Sequence, residues 1–426
     1  MDSDVPSCSG AKKRRKSTDQ IDDPVFVEFH SNEPLMALLN NSVSALKKRN
    51  EFSLCMLKIS HCNGMAPKNF SKAFCQTERY KCTDEASSSS STLSPKHVML
   101  FSMSSIFCYG EELLCSFLKP KSETCLPQRK GAKIALSKLL YFLSEETGGC
   151  TLWKIHVDKV ITAEKAFAEE DRKLTEAEWA VVLAHHLFSK LSVSSYYLID
   201  KGYSKYARCP CGCDGILTGD YGDTSIGCPE VWHGFVDLMM GMIGINIATI
   251  EPDSPGGSGN RSSIEVKIEN TDLKSNKEQM IAQSIVFSFL QQKLHPEFVN
   301  HLIPSIGISK EMLVIYYYDC KNDVLIESSQ MPYIQDEKLC IPTIVALWLA
   351  LNFKYFCSGI TKGMNNSSYK AGFFEQVDEK LNLYMNVNMP CGKHYSKEDN
   401  TWTWLGKPIE DEPAEKVKDI NKLEPW

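Results

Sequence analysis

The chain contains no run of about 18 apolar residues, the length a membrane-spanning helix requires. Its nearest approach, Leu238 to Ile250, is about 13 residues long and rich in Met, Gly and Ile, so it reads as buried strand rather than as a membrane span. A secretory start is also lacking. Met1-Asp2-Ser3-Asp4 is acidic, with no apolar stretch behind it. Without an export signal the 17 cysteines are expected to be reduced, and a disulfide framework is not expected. There is no excess of positive charge either. Lys and Arg number 47 against 53 Asp and Glu, a net charge of −6, so any nucleic-acid surface has to be a local patch. No internal repeat is present. The remaining composition, 43% apolar and 23% charged, is ordinary for a globular protein. At 426 residues there is room for one large domain or two to three smaller ones.

Residues 1–24 are polar and charged and are expected to be a disordered tail. The tail carries Lys12-Lys13-Arg14-Arg15-Lys16, a compact basic tract that suits a nuclear-import receptor; the plainer reading is a solvated charge run. An accessory region is expected over 25–165, with a serine-rich loop at 83–96 and an amphipathic helix from Ala132 to Leu143. Thr175 is placed to cap the next helix, with Glu178 three residues on in a capping-box arrangement, and Trp179, Val182, Leu183, Leu187 and Leu191 as its buried stripe. Tyr196 to Ile199 reads as the end of that helix or an extended piece. Val231 to Ile250 reads as one strand or a hairpin. The Pro/Gly-rich 251–263 is a loop, Ile264 to Ile268 a short strand, and Lys277 to Leu294 a helix stopped by Pro296. Met312 to Tyr318 reads as a central strand paired with Val324 to Ile326 across a hairpin, and Ile341 to Phe356 as another helix. The segment 361–426 is a C-terminal extension.

An ordered set of polar residues lies within the apolar central region. Asp237 ends Gly234-Phe235-Val236; Glu265 and Lys267 flank Val266; Gln279, Gln283 and Phe287 lie on the following helix. Residues two apart on a strand face the same side, so Glu265 and Lys267 project together while Val266 points into the core. If the Asp237 strand lies alongside, two carboxylates and an ammonium converge at one point. Hard oxygen ligands hold magnesium, a bound cation lowers the pKa of water, and a lysine can orient that water or stabilise developing charge. The plainer reading of the same residues is a surface ion pair at the edge of an ordinary α/β sheet.

In order and context this stretch resembles the PD-(D/E)XK nuclease superfamily, most closely its RecB-type exonuclease branch. The resemblance covers roughly 170–320, within an expected domain over 166–360. It implies an α/β fold, a restriction-endonuclease-like αβββαβ core with a mixed central sheet flanked by helices. It implies a metal-dependent nuclease acting on DNA and using magnesium or manganese. Asp237 and Glu265 would be metal ligands together with the Val266 carbonyl, Lys267 the catalytic lysine, and Gln283 the glutamine of a Gln-x-x-x-Tyr element in which Phe287 replaces Tyr, with Gln279 as the alternative register. Glu178 or Glu176 on the first helix is a further candidate ligand. Val236 stands where the family name has proline. The other readings are a degenerate nuclease fold that binds nucleic acid or protein without cutting, and a zinc-stapled interaction protein. The expected location is the nucleus, with the cytoplasm as the alternative.

Cys209-Pro210-Cys211-Gly212-Cys213, followed by Cys228 and His233, carries the ligand types of a zinc site, with Cys209, Cys211, Cys213 and Cys228 as candidate ligands and His233 as an alternative fourth. Its spacing is not that of common zinc fingers, and free thiols in a glycine-rich loop are the plainer reading. Some RecB-type nucleases hold an iron–sulfur cluster with four cysteines; here Cys391 stands alone downstream, so that cluster is not expected. His185 and His186 are adjacent on the first helix. Neighbouring helical residues point about 100° apart, so the pair is not expected to serve one site, and packed or exposed histidines are the simpler expectation. Tyr316-Tyr317-Tyr318 and Trp402-Thr403-Trp404 are expected to be packing rather than base-stacking residues. Lys267, Lys274, Lys277 and Lys293 could track a phosphate backbone or be solvated charges.

Overall fold

Leu302–Ile308 and Met312–Asp319 are apolar at almost every position, the pattern of strands covered on both faces, and all but Met312 are buried. A computed structural model describes residues 24–49, 51–81, 98–120, 127, 129–144, 156–162, 175–203, 205–213, 215–241, 245–249, 276–298, 300–309, 311–386, 403–404 and 407–408. Within these, the two strands form the middle of an 11-stranded mixed sheet. From one edge the order is Cys75–Arg79, Ser53–Cys62, Val324–Ser328, Met312–Asp319, Leu302–Ile308, Ile245–Thr249, Leu238–Met240, Tyr197–Asp200 and Asp220–Gly222. The chain is of the mixed α/β class. The central hairpin is present, with Tyr318 opposite Leu325 and Asp319 opposite Val324.

Alternate side chains of the central strand face opposite layers. Tyr318 meets Phe289 of the helix Lys277–Leu294 and Phe373. Tyr317 turns to the other face, against Phe107 and Met103. On that side lie the helices Cys108–Phe117, Lys130–Leu143 and Ile341–Leu351, tied by the Trp348 indole donating to the Ala135 carbonyl at 2.8 Å. All three tyrosines of 316–318 are buried, so they are packing residues.

The region 25–165 joins the rest of the chain through the sheet itself. Ser53–Cys62 pairs antiparallel with Val324–Ser328, Leu54 opposite Ser328. A buried ion-pair network spans this junction. Glu327 accepts from Lys277 at 2.8 Å, from Arg79 at 3.0 Å and from the Tyr316 hydroxyl at 3.0 Å. Lys277 is thereby committed to a structural pair.

Two segments differ from their expected form. Ile341 to Phe356 breaks at Asn352 into Ile341–Leu351 and Phe353–Phe356. The Asn352 amide donates to the Leu191 carbonyl at 2.9 Å and its oxygen accepts from Val193 N–H at 2.9 Å, so a tertiary demand interrupts a helix-forming sequence. Val231 to Ile250 is neither one strand nor one hairpin. Trp232–Phe235 belongs to a separate three-stranded sheet with Ser225–Gly227 and Lys68–Asn69, whereas Leu238–Met240 and Ile245–Thr249 form a hairpin in the large sheet. Gly234, at φ +147°, lies just before the crossing, where a Cβ would stand 3.0 Å from both Asn69 Oδ1 and the Phe70 ring. The expected tail 1–24 (bar Pro24), the serine-rich loop and the strand Ile264 to Ile268 lie outside the described residues.

Burial pushes the Glu327 carboxyl up, but Lys277 and Arg79 outweigh it and leave its pKa below the ordinary glutamate value. A depressed carboxyl contributes stability above its unfolded-state pKa and loses it as pH falls through the folded value. Stability measured by urea unfolding is therefore expected to fall in wild type as pH drops below about 4.3. Glu327→Gln is expected to be less stable at neutral pH, by about 2 kcal/mol because Arg79 is half-exposed and recovers solvation. The variant's stability should also vary less with acidification; a variant with the wild-type acid profile would exclude this role for Glu327.

Candidate functional site

The site is assembled on the helix that starts at Glu176. Thr175 caps it as expected: its hydroxyl accepts from Glu178 N–H at 3.3 Å, and Glu178 Oε2 accepts from Thr175 N–H at 3.0 Å. The predicted stripe Trp179, Val182, Leu183, Leu187 and Leu191 is buried, but so are Ala180, Val181, Ala184, His185, His186 and Phe188. After Leu183 the helix passes through a π turn, Ala184–Phe188, before its last turn Ser189–Leu191. Such insertions re-aim side chains and are frequent at functional positions. Lys138, itself buried, closes the end of this helix by donating to the carbonyls of Ser189, Ser192 and Val193 and to the Ser195 hydroxyl.

Glu178 is fully buried and its second oxygen accepts from the Tyr206 hydroxyl at 2.9 Å. This candidate metal ligand thus engages the cap and a tyrosine. Asp237 is half-buried at the crossing between the two sheets. Its Oδ1 accepts from the Tyr203 hydroxyl at 2.7 Å, and its carbonyl from Asp200 N–H at 3.1 Å. Asp200, at the end of the adjacent strand, has its pKa raised by burial. Gln283, fully buried on Lys277–Leu294, donates to the Phe235 carbonyl at 3.3 Å, two residues before Asp237. Its Oε1 has no partner among the described residues. The structure thus brings Gln283 to the Asp237 segment. Gln279 is half-buried one turn earlier and Phe287 is in the core. Glu265, Val266, Lys267 and Lys274 lie outside the described residues. Lys293 donates to the Asn386 carbonyl.

The second cluster lies a few residues along the same loop. Cys209, Cys211 and Cys213 converge on His186, whose Nε2 is 3.3 Å, 3.1 Å and 3.5 Å from their sulfurs in that order. All four donor atoms lie within 4.8 Å of one another, a group able to hold a metal ion such as zinc. The fourth donor is therefore the helix histidine rather than Cys228 or His233. Cys228 is at the turn preceding Trp232–Phe235, where its carbonyl accepts from Val231 N–H, and the His233 ring contacts the Val231 carbonyl. The knuckle closes through Cys209 N–H donating to the Gly215 carbonyl at 3.2 Å and turns at Gly212, φ +75°. Burial pushes His156 down to about 2 and His185 to about 4, so both rings are neutral. Neutral His156 meets His186 Nδ1 at 2.6 Å, a contact that leaves the His186 Nε2 lone pair facing the sulfurs when His186 carries its proton on Nδ1. The Cys211 thiol is held below the ordinary cysteine value, first by its hydrogen bond with Cys209.

Four participants were not legible as such in the sequence. His186 is separated from the cysteines by more than twenty positions, and only its place beside a second histidine marks it. Tyr203 and Tyr206 carry no motif; their spacing ahead of Cys209 is the one available signal. Asp200 ends an apolar run, as Asp237 does, and could have been found by the same reasoning.

No family model, curated protein or solved structure matches this chain.

Glu178 bridges the cap and the tyrosine loop, so its removal is expected to cost more than loss of the cap alone. Thr175→Ala should destabilise by about 1 kcal/mol. Glu178→Ala should cost about 2 to 3 kcal/mol, because the half-buried Tyr206 hydroxyl and the helix end both lose an acceptor. Urea midpoints at constant slope measure both; equal costs would remove Tyr206 from the account.

Proposed function

We propose that the chain is a metal-dependent nuclease of the PD-(D/E)XK type, acting on DNA through Asp237, Glu265 and Lys267. The observation that carries the reading is the place of Asp237 in the topology. A helix, Glu176 to Leu191, precedes three successive antiparallel neighbours in the large sheet, Tyr197–Asp200, Leu238–Met240 and Ile245–Thr249. Lys277–Leu294 then leads to Leu302–Ile308, which runs parallel to Ile245–Thr249. With Asp220–Gly222, Ser225–Gly227 and Trp232–Phe235 inserted between the first two strands, that order is compatible with the αβββαβ core that the resemblance implies; its third strand is Ile245–Thr249, and Glu265 and Lys267 follow it outside the described residues. Asp237 immediately precedes its second strand, and Gln283 reaches the same turn from the crossover helix.

The donor set fits a hard divalent cation: two carboxylates, from Asp237 and Glu265, and the Val266 carbonyl. Magnesium or manganese bound there supplies charge neutralisation at the phosphate and a water of lowered pKa. Lys267 orients the attacking water or stabilises the charge that develops on the phosphate oxygens. Tyr203 donates to Asp237 Oδ1 and orients the carboxylate. Gln283 holds the Phe235 carbonyl and so the turn that carries Asp237. Glu178 serves the helix cap rather than the cation, and the Cys–His cluster has a structural part because four protein donors leave no position for water. The basic tract Lys12 to Lys16 is proposed to engage an import receptor, with the nucleus as the place of action. No helix among the described residues is long and apolar enough to cross a membrane.

The test is cleavage of labelled single- and double-stranded DNA with magnesium or manganese, by wild type beside Lys267→Ala and Asp237→Ala, each shown to be folded. Wild type is expected to cut, and both variants to lose at least about a hundredfold in rate, the scale of removing a group that acts at the transition state. Silence of all three proteins across both metals and substrates would replace the nuclease with a fold that binds without cutting. Equal cleavage by all three would move the site elsewhere.

A further inference from the structure

The loop that supplies the three cysteines also supplies the two tyrosines on the carboxylates. Tyr203 donates to Asp237, Tyr206 donates to Glu178, and Cys209 follows three residues later. At its far end this loop meets the helix at His186, eight residues beyond Glu178 and thus about 12 Å along the axis. We propose that His186, Cys209, Cys211 and Cys213 bind one zinc ion as a closed structural site. That ion staples the loop to the helix and so positions Tyr203 on Asp237 and Tyr206 on Glu178.

The geometry favours a single tetrahedral ion. Zinc–sulfur and zinc–nitrogen bonds of about 2.3 and 2.0 Å place sulfur and nitrogen about 3.5 Å apart across a tetrahedron. The observed separations are 3.1 to 3.5 Å, and no donor pair exceeds 4.8 Å. An iron–sulfur cube would hold its donors farther apart. Three thiolates and a neutral imidazole around a divalent cation leave one net negative charge. Lys190, one helical turn beyond His186, is electrostatically coupled to Cys213, and Lys159 donates to the Cys211 carbonyl at 3.2 Å. Both are of the right sign to balance it. His156 supplies the outer partner that orients the imidazole. Gly215 completes the enclosure: a Cβ there would stand 2.5 Å from His185 Nε2 and 3.2 Å from the Cys213 sulfur.

Soft thiolates select zinc over magnesium, and on binding the thiol protons pass to solvent. Nothing in this assignment requires the protein to cut DNA; the tyrosine contacts and the donor set stand on geometry alone.

The experiment uses the full chain. Elemental analysis of purified protein is expected to find one zinc per chain, lost in Cys211→Ser and His186→Ala and retained in His186→Cys, which restores a thiolate at the fourth position. Cobalt exchanged for zinc should give the visible bands of a tetrahedral thiolate site in wild type. Hydrogen–deuterium exchange of wild type with and without a chelator then reads the positioning role. Exchange over 201–208 should rise several-fold on zinc removal, with the helix Lys277–Leu294 unchanged as the internal control. Wild type without zinc after purification in its presence would overturn the site. Stoichiometric zinc with unchanged exchange over 201–208 would overturn the positioning role. Absence of nuclease activity would affect neither readout, so failure of the cleavage reading is seen separately.

Discussion

A helix buried along nearly its whole described length cannot carry a glutamate and two histidines unless polar partners come to it. The segment Glu176 to Leu191 imposes that condition, and the arrangement around it follows from satisfying it. Glu178 draws in Thr175 and Tyr206. His186 draws in His156 and the cysteine knuckle. The carbonyls at the helix end draw in the Lys138 ammonium and the Asn352 amide. These partners arrive from several elements, so one helix sets the positions of the loop 201–213, the helix Lys130–Leu143 and the break at Asn352. Burial of this kind specifies more than it stabilises: a mispositioned neighbour strands a polar group in the core at a cost of a few kcal/mol, which an apolar contact would not.

The same logic explains why Asp237 lies where the chain leaves one sheet for another. Backbone that switches sheets loses its ladder partners for a residue or two and has to satisfy its groups individually. Gln283 takes the Phe235 carbonyl, Asp200 the Asp237 carbonyl, and Tyr203 the side chain. A carboxylate placed at such a turn is held by its surroundings yet remains half-exposed, a combination that a residue inside a ladder does not have.

Much of the architecture could be read locally, and its failures share one cause. The capping box, the helix from Lys277 to Leu294 and the hairpin around Asp319 to Asp323 rest on near-neighbour chemistry, and they are present as expected. The sheet switch inside Val231 to Ile250 is not readable locally, because a largely apolar run carries no mark of a change in pairing partner. The helix break at Asn352 depends on Leu191 and Val193, distant in sequence. The expectation that His185 and His186 do not serve one site holds: His186 joins the cysteines, while His185 packs edge-on against its ring with centroids 4.7 Å apart. Joining of the 25–165 region to the sheet through Ser53–Cys62 was equally invisible, because β pairing across more than 270 positions leaves no local trace.

Two metal sites of opposite character would share this loop without competing. Three sulfurs and one imidazole form a soft set of four donors, whereas Asp237 offers oxygen. Zinc has the greater affinity for almost any site of mixed donors, so a chain that needs a labile hard cation gains by giving zinc a better alternative nearby. The tyrosines at 203 and 206 then convert occupancy of one site into geometry at the other. In the proposed arrangement the Tyr203 hydrogen bond that would hold Asp237 is itself held by the zinc staple, so Asp237 need not be rigid on its own account.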